Sequence, residues 1–252
     1  MSTTDRLSRR AALGTVAGAL VIGAGVSRAA DSPRYPLVVE LFTSQGCSSC
    51  PPADRQLGSL AKRADVVALS FHVTYWDKLG WKDPYASEAG TARQYGYARV
   101  QARPGVYTPQ MMVNGVVHAP GFSQSTVADL LGAGAKVNPL RLNPVLSPGP
   151  NDGVVLTLPS LAGLGQACDV WLVTYDREHV TQVPRGENRG ARLVNRNVVR
   201  SIERAATWQG AAQSWTLGAG RLSPARSVAV LVQRRDFGPI IGATRLERGE
   251  SS

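Results

Sequence analysis

Cys47 and Cys50, separated only by Ser48 and Ser49, are the residues whose type and spacing best support a chemistry, that of thiol–disulfide exchange. The attacking species in that reaction is a thiolate. The unpaired N–H groups and the dipole at a helix N-terminus stabilise such a charge. Pro51 and Pro52 follow directly, and proline is tolerated in the first turn of a helix. A helix is therefore expected to begin at the cysteines. Cys47 is then expected to be the more exposed thiol, and Cys50, one turn on, the one that closes the ring: a nucleophile and a resolving thiol. The same pair could also be a purely structural bridge or half of a zinc site. Zinc needs a second ligand pair at suitable spacing, whereas Cys168, His72, His118 and His179 are scattered singly.

The surrounding pattern supplies the elements that must hold the pair. Leu37 to Phe42 is an apolar run that reads as a buried strand, and Thr43 to Gly46 break it into a loop. A helix over about 51–63 and a second buried strand, Val66 to Val73, follow. Strand, helix, strand implies a right-handed parallel crossover, with the carboxyl ends of both strands on one sheet edge. The loop after the second strand should then border Cys47, so Tyr75, Trp76 and Asp77 could form a rim over it. His72 ends that strand as a hydrogen-bonded core residue, a thiolate stabiliser, or a copper ligand together with Cys47 and Cys50. Residues 86–100 read as a helix. Asn114-Gly115 between apolar runs signals a hairpin, and 121–131 reads as a short helix capped by Ser123 or Ser125.

The element order, with the cysteine pair after the first strand and Thr108-Pro109 before the third, resembles the thioredoxin fold over roughly residues 36–135. The resemblance implies a cis Pro109 facing the cysteines, a Thr108 backbone that pairs with an extended substrate, and a carboxylate on the first strand that relays a proton to and from the second cysteine. Glu40 is the candidate for that carboxylate, although it stands one residue further from the motif than is usual. The segments ELFTSQGCSSCPPAD, FHVTYWDKLGWKDP, YTPQMMVNG and GENRGARLVNRNVVR together resemble a family of secreted bacterial thioredoxin-like proteins known only as a domain of unknown function. That family implies a fold and no substrate.

Beyond the proline-rich stretch 139–150 the pattern becomes β-rich. Five short strands, near 154–158, 168–175, 193–202, 228–233 and 240–246, suggest a small antiparallel sheet or sandwich, with 186–190 as a turn-rich loop. The expected fold is thus α/β, a thioredoxin-like domain over 31–137 followed by a smaller β-rich C-terminal domain over 138–252. Cys168 opens an apolar strand and reads as a buried small hydrophobe, or as a transient partner for Cys47.

Residues 1–30 read as an export signal: Arg6, Arg9 and Arg10, an apolar run from Ala11 to Val26, and small residues for cleavage after Ala29 or Ala30. Ser8 to Leu13 partly resembles a twin-arginine signal. The remaining chain has 24 basic and 17 acidic residues, a net charge of +7, without a basic block interleaved with aromatics, which argues against nucleic acid. The apolar run is short for a membrane span, so no stable span is expected after cleavage. A 43% hydrophobic chain with 18% charged residues can bury a core. The expectation is a periplasmic or secreted thiol–disulfide oxidoreductase, leaning to reductase or isomerase, with no cofactor. Its catalytic residues would be Cys47, Cys50, Pro109 and Glu40; Thr108, Tyr75 and Trp76 would bind substrate. Its partners would be other extracytoplasmic proteins with thiols or disulfides. The alternative is a binding protein with a structural disulfide, or a copper carrier.

Overall fold

The computed structural model describes residues 35–137 and 141–248; the predicted export signal lies outside them. In chain order the elements are β1 (Leu37–Thr43), α1 (Pro51–Leu60), β2 (Val66–His72), a 3-10 turn (Thr74–Trp76), α2 (Glu88–Val100), β3 (Gln110–Val113), β4 (Val117–Ala119) and α3 (Gln124–Lys136). There follow β5 (Val145–Pro148), β6 (Val154–Leu158), β7 (Cys168–Gln182), β8 (Arg192–Trp208), β9 (Gln213–Leu217), β10 (Ser227–Arg234) and β11 (Ile240–Leu246). The protein is a mixed α/β structure. Its large sheet has the order β11-β10-β7-β8-β2-β1-β3-β4, and a smaller one has the order β5-β6-β9.

β1 is buried on both faces, which is why it reads as a continuous apolar run. It pairs parallel with β2, Val39 beside Ala68, and antiparallel with β3, Leu41 beside Met111. Its side chains alternate between two cores. Val39 and Leu41 pack with Ala53, Leu57 and Leu60 of α1 and with Leu130 of α3. Val38 and Phe42 pack on the opposite face with Phe71 and Tyr97. The α1 side chains recur at i, i+4 and i+7, so one helical stripe faces the sheet. Full burial of a side chain such as Leu57 contributes roughly 1.5–3 kcal/mol.

The caps and turns are written locally. Ser87 starts α2, its hydroxyl accepting from the Gly90 N–H at 3.1 Å, and Ser123 starts α3, accepting from the Thr126 N–H at 3.2 Å. Asn114 and Gly115 both adopt left-handed φ, 50° and 70°, at the centre of the turn that the Val116 N–H closes on the Val113 carbonyl at 3.0 Å. The Asn114 side chain also accepts from the Val38 N–H and donates to the Gly134 carbonyl, tying β1 to α3.

The C-terminal half departs from five short strands in a sheet of their own. Among the described residues it supplies seven strands, and four of them extend the first sheet. The junction is a parallel pairing of Ser70 on β2 with Val198 on β8, fastened where the buried Asn197 side chain donates to the Ala68 carbonyl at 2.9 Å. β7 and β8 run for 15 and 17 residues. Their far ends form a long hairpin arm, closed by residues 183–191. A third core lies between β6, β7 and β10; Cys168, Trp208 and Leu156 are fully buried there.

Candidate functional site

β1 ends at Thr43, and the loop after it is folded by its own backbone. The Cys47 N–H donates to the Ser44 carbonyl at 3.1 Å and the Cys50 N–H to the Cys47 carbonyl at 3.2 Å. Cys50 is the N-cap of α1, with Pro51 and Pro52 in the first two helical positions, so the cysteine pair does sit at a helix N-terminus. Cys47 and Cys50 are joined in a disulfide, with Cα atoms 5.4 Å apart.

Both cysteines are fully buried while Ser48 and Ser49 are exposed. The sequence predicts Cys47 to be the more exposed of the two; instead neither meets solvent, and the tip of the β7–β8 arm is hydrogen-bonded to the loop that carries them. Asn188 Nδ2 donates to the carbonyls of Gln45 and Cys47, each at 2.9 Å. The Ser48 N–H donates to Glu187 Oε2 at 3.1 Å. Below the tip, Gln45 is almost wholly buried. Its backbone N–H donates to Asp83, its side-chain Nε2 donates to Thr181 and Asn195 of the arm, and its side-chain Oε1 accepts from the Trp81 indole. Sequence reasoning missed Gln45, Asp83, Glu187, Asn188 and Asn195. All are polar residues, four in loops and Asn195 near the start of β8, a pattern that reads as solvated surface, and only their distant pairing reveals them.

On the other side of the loop the peptide between Thr108 and Pro109 is cis. The register of Phe42 opposite Gln110 puts Pro109 beside Thr43, at the start of the cysteine loop. Trp76 Nε1 donates to the Thr108 hydroxyl at 2.7 Å. A Cβ on Gly46 would lie 3.3 Å from Trp76 Cβ, so glycine is what lets Trp76 approach the residue before Cys47. The Tyr75 hydroxyl donates to Gln94, whose amide in turn donates to the Tyr107 carbonyl and to Gln110. Tyr75, Trp76, Thr108 and Pro109 are thus brought together at the sheet edge that carries the disulfide.

The candidate carboxylate Glu40 lies elsewhere. It shares the face of β1 with Val38 and Phe42, away from α1 and Cys50. There it is paired with the Arg93 guanidinium of α2 and accepts from the Tyr97 hydroxyl at 2.5 Å. Arg93 also donates to Gln233 of β10 at 3.2 Å. The one-residue offset from the usual position turns the side chain to the other face of the strand.

The face beneath α1 holds different ionisable groups. His72 is buried, and its Nδ1 is 2.6 Å from Asp83 Oδ2. Burial alone would lower the His72 pKa, but the carboxylates of Asp83 and Asp54 outweigh it, and the net shift is upward. Burial likewise pushes Asp83 up, but His72 and the N–H groups of Gln45 and Tyr85 bring it below the usual carboxylate range. Asp54 stands one turn after Cys50, its N–H donating to the Cys50 carbonyl, so the two side chains lie on one side of α1. Burial pushes Asp54 up to about 6, against the pull of His72. Asp54 also lines a crevice of about 120 Å³ with Pro51, Arg55 and Arg192 to Val194. A larger cavity, about 540 Å³, lies at the far end of α1 and is lined by Lys62, Arg177, Arg196 and Arg245; Glu178 and Glu247 pair with its arginines.

Among the described residues no group of three or more His, Cys, Asp and Glu side chains is gathered in a way that could hold a metal ion. No described helix is long and apolar enough to cross a membrane. Cys168 lies in the third core, where burial pushes its thiol up to about 11. His118 contacts Tyr107 and Arg103, and His179 pairs with Asp176 and stacks on Tyr85.

Fold and site together define a mixed α/β protein with a Cys-x-x-Cys disulfide at a helix N-terminus, near a cis proline. Residues 38–233 match the family described as "Protein of unknown function (DUF1223)", and the chain belongs to that family. A crystal structure of an Agrobacterium tumefaciens protein is similar to it, at 33% identity and a TM-score of 0.72, the match covering 86% of this chain and 95% of that one. A search of curated proteins found no match.

Proposed function

We propose that the protein exchanges thiols and disulfides with other proteins outside the cytoplasm, through Cys47 and Cys50, on a thioredoxin-like unit. The observation that carries this reading is the disulfide at the start of α1, with cis-Pro109 beside the loop that holds it. The order β1-α1-β2-α2-β3-β4-α3 and the strand sequence β2-β1-β3-β4 support the thioredoxin-like assignment. A bridge that persists supports an oxidising compartment.

In the reduced protein, the Cys47 thiolate attacks a substrate disulfide. One substrate thiolate leaves and a mixed disulfide forms. Cys50 then gives its proton to the Asp54 carboxylate and attacks Cys47 Sγ, which releases the second substrate thiolate and restores the Cys47–Cys50 bond. The substrate is oxidised when the steps run backwards. The Asp54 carboxyl titrates at about 6, so it is largely ionised at neutral pH and can take that proton, and the crevice it lines connects it to solvent. Thr108 offers its backbone to the substrate chain, beside Tyr75 and Trp76. Because both sulfurs are buried, the arm tip must lift before the exchange.

That burial also favours a second reading, a binding protein in which the disulfide is structural. Equilibration in glutathione and dithiothreitol buffers, followed by mass spectrometry, separates the two. An exchanging pair falls near −270 to −120 mV, and a structural one below about −300 mV. The expected result is a potential in the first range and a mixed disulfide trapped in Cys50→Ser. A pair that stays oxidised in the most reducing buffers overturns the proposal.

A further inference from the structure

We infer that Glu187 is a positioning residue of the cysteine pair: its carboxylate, carried in by the β7–β8 arm, biases Cys47 and Cys50 toward the disulfide and against the reduced form. The inference rests on the exchange reading above and concerns the direction in which that exchange runs.

A thiolate at Cys47 needs hydrogen-bond donors. At a helix N-terminus it is stabilised by N–H groups with no partner inside the helix. In this protein the N–H of Ser48, one peptide bond from Cys47, is already taken by Glu187 Oε2 at 3.1 Å. Hydrogen bonding from Ser48 in turn holds the Glu187 carboxyl below its usual range, so it is ionised at neutral pH. An anion forming on Cys47 Sγ therefore loses a donor and meets a like charge, and both effects disfavour the thiolate. A neutral disulfide meets neither. Destabilising the reduced form lowers the reduction potential, the reverse of the way in which a stabilised thiolate makes a strong oxidant.

The arm is built to keep that carboxylate in place. Asn188, the next residue, is fixed by two hydrogen bonds to the cysteine loop. Gly186, the residue before, has φ of 77° and lies so close to Trp81 that a Cβ would be 3.0 Å from Trp81 Cβ. Arg185 and Arg189 are exposed in the same tip, and neither forms an ion pair with Glu187 among the described residues. The coupling is reciprocal: if Glu187 disfavours the reduced pair, reduction disfavours the docked arm. Reduction by a donor thiol would thus loosen the cover over the site, and re-oxidation would close it.

The test compares the purified wild-type protein with Glu187→Gln, which keeps an oxygen acceptor for the Ser48 N–H and removes the charge. Glu178→Gln is the control, an exposed carboxylate on the same arm that pairs with Arg196. Each is equilibrated with glutathione and with dithiothreitol, and the Cys47 thiolate is titrated by its ultraviolet absorbance. In Glu187→Gln the equilibrium constant should move about 3- to 10-fold toward the dithiol, up to about 30 mV for two electrons. The Cys47 thiol should also titrate at lower pH. About 1 M salt, which cuts the screening length to ~3 Å, should bring wild type most of the way to the variant. If Glu187→Gln and Glu178→Gln move equally little while the wild-type pair equilibrates normally, the inference fails and the exchange reading stands. If the wild-type pair cannot be reduced at all, both fail.

Discussion

Asp54 and Glu40 are two buried carboxylates close in sequence to one disulfide, and what faces each decides its part. Glu40 meets a guanidinium at once, so its charge is compensated inside the fold. Asp54 sits on the α1 face near a His72 already held by Asp83, and burial raises its affinity for a proton. Asp54→Asn should therefore slow resolution of the mixed disulfide on the order of 100-fold and flatten its pH dependence around pH 6, as read by quenched-flow trapping. The stability consequence has the opposite sign. Asp54 has a folded pKa raised from 3.8 to about 6, so the native state binds its proton more tightly than the unfolded chain. That stabilisation is complete below pH ~4 and is lost as pH rises through ~6, a swing of about 3 kcal/mol. Asp54→Asn should raise the denaturation midpoint at pH 7.5 and show little gain at pH 4. Glu40→Gln makes the contrast, because it leaves Arg93 buried without its counter-charge. It should cost about 3–5 kcal/mol with the pH profile of exchange intact. Glu40 lies on the face of its strand opposite α1: a strand's period of two is legible, but which face α1 covers is not. His72 was legible as a buried residue ending a strand; its partner Asp83, eleven residues on in a loop, was not.

At the scale of elements, local signals located what local physics builds. Apolar runs gave β1 and β2, Pro51-Pro52 gave the start of α1, Ser123 gave a cap, and Asn114-Gly115 gave a turn. The outer end of β7, residues 176–182, escaped because it is mostly polar and meets solvent rather than a core; the β8 side, with Leu193 and Val198 buried, was legible as a strand, but not as one half of an arm. Its purpose is set by contacts some 140 residues apart in sequence, such as Asn188 with Cys47. The arm tip is held by few hydrogen bonds, each worth about 0.5–1.5 kcal/mol, so it can open without unfolding what lies beneath. Asn188→Ala removes two of them. It should raise the rate at which small thiols reduce the Cys47–Cys50 bond by roughly 5- to 30-fold, the factor that 1–2 kcal/mol provides. The melting temperature should stay nearly unchanged. An unaltered reduction rate would mean that the tip does not limit access.

At the scale of the molecule, the chain reads as two successive patterns, α/β and then β-rich, but the sheet does not stop between them. β2, an edge in the first pattern, becomes interior because β8 lies against it. Sequence periodicity cannot register such a pairing, since each strand looks complete by itself. Residues 31–137 expressed alone would expose that flat apolar edge. They should aggregate or melt without cooperativity in calorimetry; a sharp, reversible transition from the fragment would show that the first half stands by itself.

The third cysteine gives the protein a property unrelated to its chemistry. Cys168 is closed inside the core between β6, β7 and β10, with its thiol pushed up to about 11, so at neutral pH it is both unreachable and protonated. Nothing short of opening that core makes it a nucleophile. With the other two cysteines locked together, the molecule carries a single latent handle whose rate of alkylation counts unfolding events of the half that supplies the arm, a clock built into the chain and silent while the fold is intact.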